Sequence, residues 1–415
     1  MSLEHHVPEA PLGWGRTFAS LRHRNYRLWF FGQLTSLLGT WMQSTAQGYL
    51  VFELTRSPAY LGFVAFAAGL PTWFFMLYAG VIADRLPRRR ILVWSQLAMM
   101  ALSVVFAALT FAGRIEAWHV VGLAFLLGIA NAFDAPARQS IVLDLVGRDD
   151  LTNAVALNSL QFNTATTLGP AAGGVLYDWV GPGWCFSLNA LSFVAVIAAL
   201  AMMRLPAHET PPRRKSTLGE LVEGLRYVAA NRTILVILVL VAMVTIFGIA
   251  YVTLLPAWSV KILHGDATTN GWLQSARGAG ALLCALAIAS LGRTRLRGRL
   301  LLSGALALPV ALLLFAAVRS LPLAMLMLVA VGATLILCFN MANTLVQTLS
   351  DDAFRGRVMG VYTLTFFGSM PLGALLAGGL AERLGEPNTV ALGAAALACG
   401  ALVILATYPA LRRVG

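Results

Sequence analysis

The sequence predicts an all-α membrane protein with twelve transmembrane helices in two parallel six-helix repeats. Three observations carry that expectation: an apolar excess, a one-sided distribution of basic residues, and an internal duplication. Of 415 residues, 58% are apolar and 12% are charged. Soluble domains carry about 25% charged residues, so half the usual charge is missing. A mean hydropathy of +0.75 is sustained only if most of the chain lies in spans of about 20 residues, the length that crosses roughly 30 Å of hydrocarbon.

Apolar runs long enough to span begin near Leu28, Tyr60, Ile91, His119, Ala154, Trp184, Thr233, Asn270, Leu300, Leu321, Val358 and Val390. The first of them follows no small-residue cleavage site, so it reads as a retained span rather than a signal peptide. Alternate connections differ sharply in charge: 24 of the 30 Lys and Arg residues fall on one side, five on the other, and Arg277 alone falls inside a span. Positive charge is retained on the cytoplasmic side, which puts both termini in the cytoplasm. The net charge of +12 therefore belongs to topology and implies no nucleic acid.

The longest connection, 204–232, divides the spans six and six. It carries Pro206, Pro211, Pro212 and a basic cluster, then an amphipathic stretch with Leu218, Leu221, Val222 and Leu225, as expected of a linker on the membrane surface. The expected organisation is a tail 1–27, a six-helix bundle 28–203, the linker 204–232, a second bundle 233–408 and a tail 409–415. An ungapped shift of 204 residues superposes Gly128 on Gly332, Leu145 on Leu349, Leu160 on Leu364, Phe162 on Phe366, Gly169 on Gly373, Gly174 on Gly378 and Gly181 on Gly385. Parallel repeats of this kind hold a ligand near mid-membrane between the halves and alternate its access.

Two motifs stand out. The loop after the second span reads Gly80-Val-Ile-Ala-Asp84-Arg85-Leu-Pro87-Arg88-Arg89-Arg90. A glycine permits close helix approach, an aspartate can accept from a helix N-terminus or an arginine, and the arginines sit at the headgroups. In the fifth span, Gly169-Pro170-Ala-Ala-Gly173-Gly174 removes a backbone donor and three side chains, so that helix can bend and press on a neighbour. With twelve spans and a duplicated half, the loop resembles the signature of the major facilitator superfamily, G-x-x-x-D-R-x-G-R-R. The resemblance implies that Gly80, Asp84, Arg85, Arg88 and Arg89 form a cytoplasmic latch. Pro87 stands where that family has glycine, and the second copy, Gly292 to Arg299, has no acid. The Gly169 to Gly174 run is similar to the superfamily's antiporter signature and implies export. Strings at Leu21 to Leu28, Ser36 to Gln43, Asn131 to Gln139 and Leu151 to Asn158 resemble the branch containing enterobactin exporters and macrolide efflux proteins. At the fourth-span position where the family often has a coupling arginine, this chain has Ala124, which leaves proton coupling open.

Polar residues complete the reading. Gln33, Ser36, Thr40, Gln43 and Gln47 are spaced 3, 4, 3, 4 and so share one stripe of the first span. Such a stripe must face protein or water, and it reads as a cavity wall. Asn340 and Asn343, with Gln347, form a shorter stripe on span 10. The resemblance implies that spans 1, 4, 7 and 10 line the cavity. Arg277 is expected in the cavity or paired to Asp178, because insertion of an arginine at a helix centre costs about 2.5–3.5 kcal/mol. Asp134 lies four residues before Arg138, the spacing of a helical ion pair. Four cysteines in apolar runs and six scattered histidines imply neither a metal nor a disulfide framework.

The expected function is secondary active export of small amphipathic molecules, drug-like or siderophore-like, by alternating access. The partners are a small-molecule substrate and the bilayer, with the chain acting as a monomer in a bacterial cytoplasmic membrane, without a cofactor. A lipid translocase on the same fold is the alternative. A polytopic enzyme would need an acid, base or metal cluster at the membrane face. An ATP-driven pump would need a phosphate-binding loop ending in lysine, and neither Lys215 nor Lys261 stands in one.

Overall fold

The structure, a computed structural model, describes residues 18–147, 149–204, 217–290 and 296–414. Twelve long helical segments run alternately up and down. They are α1 (Arg24–Thr55), α2 (Pro58–Arg85), α3 (Arg88–Phe111), α4 (Ala117–Val146), α5 (Leu151–Val180), α6 (Pro182–Met202), α7 (Arg232–Lys261), α8 (Ala267–Ser290), α9 (Arg297–Ala317), α10 (Leu321–Leu349), α11 (Arg355–Leu384) and α12 (Glu386–Thr407). Ten of them are long and apolar enough to cross a membrane. The other two, α1 and α5, have 32 and 30 residues. They are less apolar because α1 carries the Gln33 to Gln47 stripe and α5 carries Asn153, Asn158, Gln161 and Asn163.

Turn chemistry explains the sharp reversals. Ser57 caps α2 through its side chain, with Pro58 at the first helical position. Gly181 and Gly385, equivalent in the two repeats, take positive φ of 89° and 80°, which a side chain would resist. Pro87, at φ −53°, stands just before α3, where a missing N–H costs nothing. A separate linker helix, Thr217–Ala230, docks on the second half. There Tyr227 stacks on Phe354 at 4.8 Å and Glu223 meets Arg357 at 3.1 Å.

Helix α7 is interrupted. Regular helix ends at Met243, passes through π-helical turns at Val244–Gly248 and 3-10 turns at Ala250–Leu254, and resumes at Leu255. Pro256 accounts for part of this, since its ring excludes the carbonyl four residues earlier.

The packing of the halves is asymmetric between the two ends of the bundle. One buried apolar cluster joins residues of the first half, such as Phe52, Leu61 and Phe106, to Ala257 and Ala267 of the second. These residues lie toward the end opposite the termini. The clusters toward the terminal end stay within one half, as with Tyr26, Trp29 and Ile141 in the first. The bundle is thus closed at the end opposite the termini.

Candidate functional site

The closed end is built by helix pairs that cross between halves, α5 against α8 and α2 against α11. Each crossing depends on missing side chains. A Cβ on Gly174 would lie 2.4 Å from the Ala267 carbonyl oxygen, and one on Gly271 would lie 2.5 Å from that of Pro170. In the other pair, a Cβ on Gly378 would lie 2.8 Å from Gly62 Cα. Gly174 and Gly378 are equivalent under the 204-residue repeat, so one device closes both sides of the interface.

Carboxylates complete it. Asp178 at the end of α5 accepts from the backbone N–H of Thr268, in the first turn of α8, at 2.7 Å. Its equivalent, Glu382 of α11, accepts from Ser57 Oγ at 2.7 Å and from the Ala59 N–H at 3.3 Å, at the start of α2. Each half therefore supplies an acid to the N-terminus of a helix in the other, where unpaired N–H groups and the helix dipole favour negative charge. Trp73 Nε1 adds a bond to the Gly368 carbonyl at 3.0 Å. Lys261 of α7 pairs with Glu386 at 3.0 Å and lies 5.6 Å from the centre of the Phe52 ring.

The antiporter-like motif divides its work between two neighbours. Gly169 and Gly173 admit α1, at Trp41 and Met42, while Pro170 and Gly174 meet α8. In the loop motif, the side chains of Gly80, Asp84 and Arg85 lie outside the described residues. Arg88 does not turn to a neighbouring loop: its guanidinium bonds Asp144 at 2.6 Å and the Ser140 carbonyl at 3.2 Å, both on α4. Arg89 donates to the Ala201 and Met203 carbonyls at the end of α6. Asp134 is buried and accepts from Ser95 Oγ at 2.8 Å and Gln96 Nε2 at 2.9 Å, with Arg138 at 3.4 Å. Its charge is thus satisfied within the first half.

The α1 stripe divides between buried and half-buried positions. Gln33, Ser36 and Gln43 are buried at 3%, 2% and 4% exposure. They share their face with Gly32 and Gly39, which bring α1 against α6 at Ala199 and Ser192. Asn189 of α6 donates to Gln43 Oε1 at 2.8 Å. This part of the stripe, around Gln43, packs within the first half. Thr40 and Gln47 are half-buried, and the Thr40 hydroxyl returns to the Ser36 carbonyl. On α10, Asn340 and Asn343 are half-buried and Gln347 is exposed and donates to Asn343.

Arg277 of α8 is half-buried, with its Nε buried and unbonded. The expected bridge to Asp178 does not form, because Asp178 caps α8 at Thr268, more than two turns away. Asp144, Glu382, the α8 glycines and Tyr251 were not singled out in the sequence. The repeat could have found Glu382, since it is Asp178 shifted by 204 residues.

Comparison with known proteins follows this geometry. The family model described as "Transmembrane secretion effector" matches residues 15–413. The multidrug efflux pump Tap of Mycolicibacterium fortuitum is 30% identical over 367 residues, covering 86% of this chain and 88% of that protein. The enterobactin exporter EntS of Escherichia coli O1:K1 / APEC is 26% identical over 390 residues, covering 92% and 90%. Among solved structures, the peptide transporter POT superposes with a TM-score of 0.76 at 14% identity, covering 97% of this chain and 99% of that one. A bacterial homologue of the lysosomal transporter Spinster, inward-facing and unoccupied, gives 0.67 at 15% identity, covering 96% and 97%.

Proposed function

The chain belongs to the transmembrane secretion effector family of major facilitator transporters, and from that membership we propose that it exports small amphipathic molecules across a bacterial cytoplasmic membrane by alternating access. Membership in a transporter family sets aside the enzyme reading. The observation that carries the proposal is the one-ended closure between duplicated halves. Helix crossings at Gly174/Gly271 and Gly62/Gly378, with the Asp178 and Glu382 caps, join the halves at the end opposite the termini. Duplicated bundles that close at one end need only rock to close at the other.

The basic loops assign the terminal end to the cytoplasm, so the state described here is open inward. The chain works as a monomer, each half supplying what the other lacks, and the proton gradient drives it. The names of the relatives, a multidrug efflux pump and an enterobactin exporter, support the export reading.

Everted membrane vesicles test this. Energised vesicles containing the chain are expected to accumulate rhodamine 123 several-fold over vesicles without it, and a protonophore should abolish the difference. Equal accumulation would contradict export, and accumulation that survives the protonophore would contradict proton coupling.

A further inference from the structure

We propose that the Tyr251 hydroxyl and the Arg277 guanidinium form a binding site for an anionic oxygen of the transported molecule, such as a carboxylate, phenolate or sulfonate. The inference rests on the export reading and adds the chemical class of the cargo. On α8, Asn270, Gln274, Arg277 and Ala281 are spaced 4, 3, 4 and share one face. That face lies between the contact with α5, made by Gly271 and Gly278, and the contact with α10, made by Gly280. It therefore looks toward the bundle axis, where the interrupted part of α7 passes.

Two donors near this face lack acceptors among the described residues, and Tyr251 of α7 shares a buried cluster with Leu273 and Ala276, the neighbours of Arg277 on α8. Tyr251, in the 3-10 turns of α7, is 3% exposed, and its hydroxyl has no partner among the described residues. Its ring is held 6.0 Å from that of Phe315. The Arg277 charge lies within electrostatic reach of that hydroxyl. Arg277 Nε is also buried and unbonded, and among the described residues no carboxylate pairs with Arg277. Both acids near the start of α8 are committed to its first turn, Asp178 to the Thr268 N–H and Asp266 to the Thr269 N–H and hydroxyl.

Charge and exposure grade along the face. Asn270 and Gln274, nearer the closed end, are buried and bonded to each other, whereas Arg277 is half-exposed. The guanidinium thus sits at the half-exposed end of this face, with no carboxylate paired to it among the described residues. A planar cation and a neighbouring hydroxyl can hold one carboxylate or phenolate by several charge-assisted bonds. A cargo without an anionic oxygen gains nothing from this pair and binds through other contacts.

The test uses the purified full chain in lipid nanodiscs with two probes on one xanthene frame, anionic fluorescein and cationic rhodamine 123, read by fluorescence anisotropy. Arg277→Gln is expected to weaken fluorescein binding by about tenfold or more, the loss of a charged hydrogen-bond donor. Rhodamine 123 binding should stay unchanged. Tyr251→Phe should weaken fluorescein by about fivefold, the worth of one neutral donor, and Arg277→Lys should fall between parent and Arg277→Gln. Thermal melting in the nanodisc separates folding from binding, and the conservative Tyr251→Phe reads the site even if Arg277→Gln is unstable. Failure of the parent to bind fluorescein, fluorescein binding indifferent to both variants, or equal loss for both probes would each overturn the inference. None of these touches the export reading, which fails separately if vesicles show no rhodamine 123 transport.

Discussion

Gly378→Val is expected to reduce export to background, while Gly379→Val, one residue further along the same helix, leaves it near the parent level. A Cβ at 378 would lie 2.7 Å from the Pro58 carbonyl oxygen and 2.8 Å from Gly62 Cα, both backbone atoms, whereas one at 379 meets nothing within 4 Å. Backbone cannot swing aside as a side-chain tip can, so the two halves must part. Overpacking of this kind costs about 1–3 kcal/mol, which shifts a two-state equilibrium by about 5–150-fold. The penalty applies only while the end opposite the termini is closed, so the variant is held in the other state and cannot complete the cycle. Gly174→Val should behave in the same way, against Ala267. Efflux normalised to membrane abundance checks this, because impaired insertion would lower abundance and a trapped state would not. Parent-level export by Gly378→Val would remove the glycine crossing from the account.

The second large effect concerns the paired caps. Replacing a capping acid by alanine costs about 1 kcal/mol, or about fivefold in an equilibrium. Asp178→Ala and Glu382→Ala act on separate helix starts, Thr268 and Ser57 to Ala59, so their effects should add to about thirtyfold in the double variant. The readout is the labelling rate of a cysteine at Gln274, buried at the closed interface, by an impermeant maleimide applied from the side opposite the termini. The background lacks Cys284 and Cys399, the two least buried native cysteines. The rate should rise about fivefold in each single variant and about thirtyfold in the double. Unchanged rates would mean that the caps do not hold the gate.

Much of this architecture can be read from spacing and charge, because hydrophobic spans, basic loops and a 204-residue repeat are local or additive signals. Facing is harder. The α1 amides satisfy a helical stripe equally well as a cavity wall or as a packed seam, and periodicity alone does not distinguish them. The discriminating signal was Gly32 and Gly39 on the same face as Ser36 and Gln43, since small residues at such spacing mark a close helix crossing. The partner of Arg88 was out of reach for another reason: Asp144 lies 56 residues away on another helix, and sequence gives no distance between them. Asp178 could be seen but not its role, because a helix N-terminus in the opposite half offers no side chain to notice.

Alternating access is tested most directly by electron–electron distance measurements on two pairs of spin labels in one sample series. One pair replaces Arg114 and Arg319, exposed at the end opposite the termini, and the other replaces Asp149 and Asp352, exposed at the terminal end. In the parent chain the first pair should give a short distance and the second a long one, as the one-ended closure dictates. In Gly378→Val the order should reverse, the first pair lengthening as the second shortens. Distances that lengthen together, or that do not move in the variant, would contradict two halves rocking about a shared site.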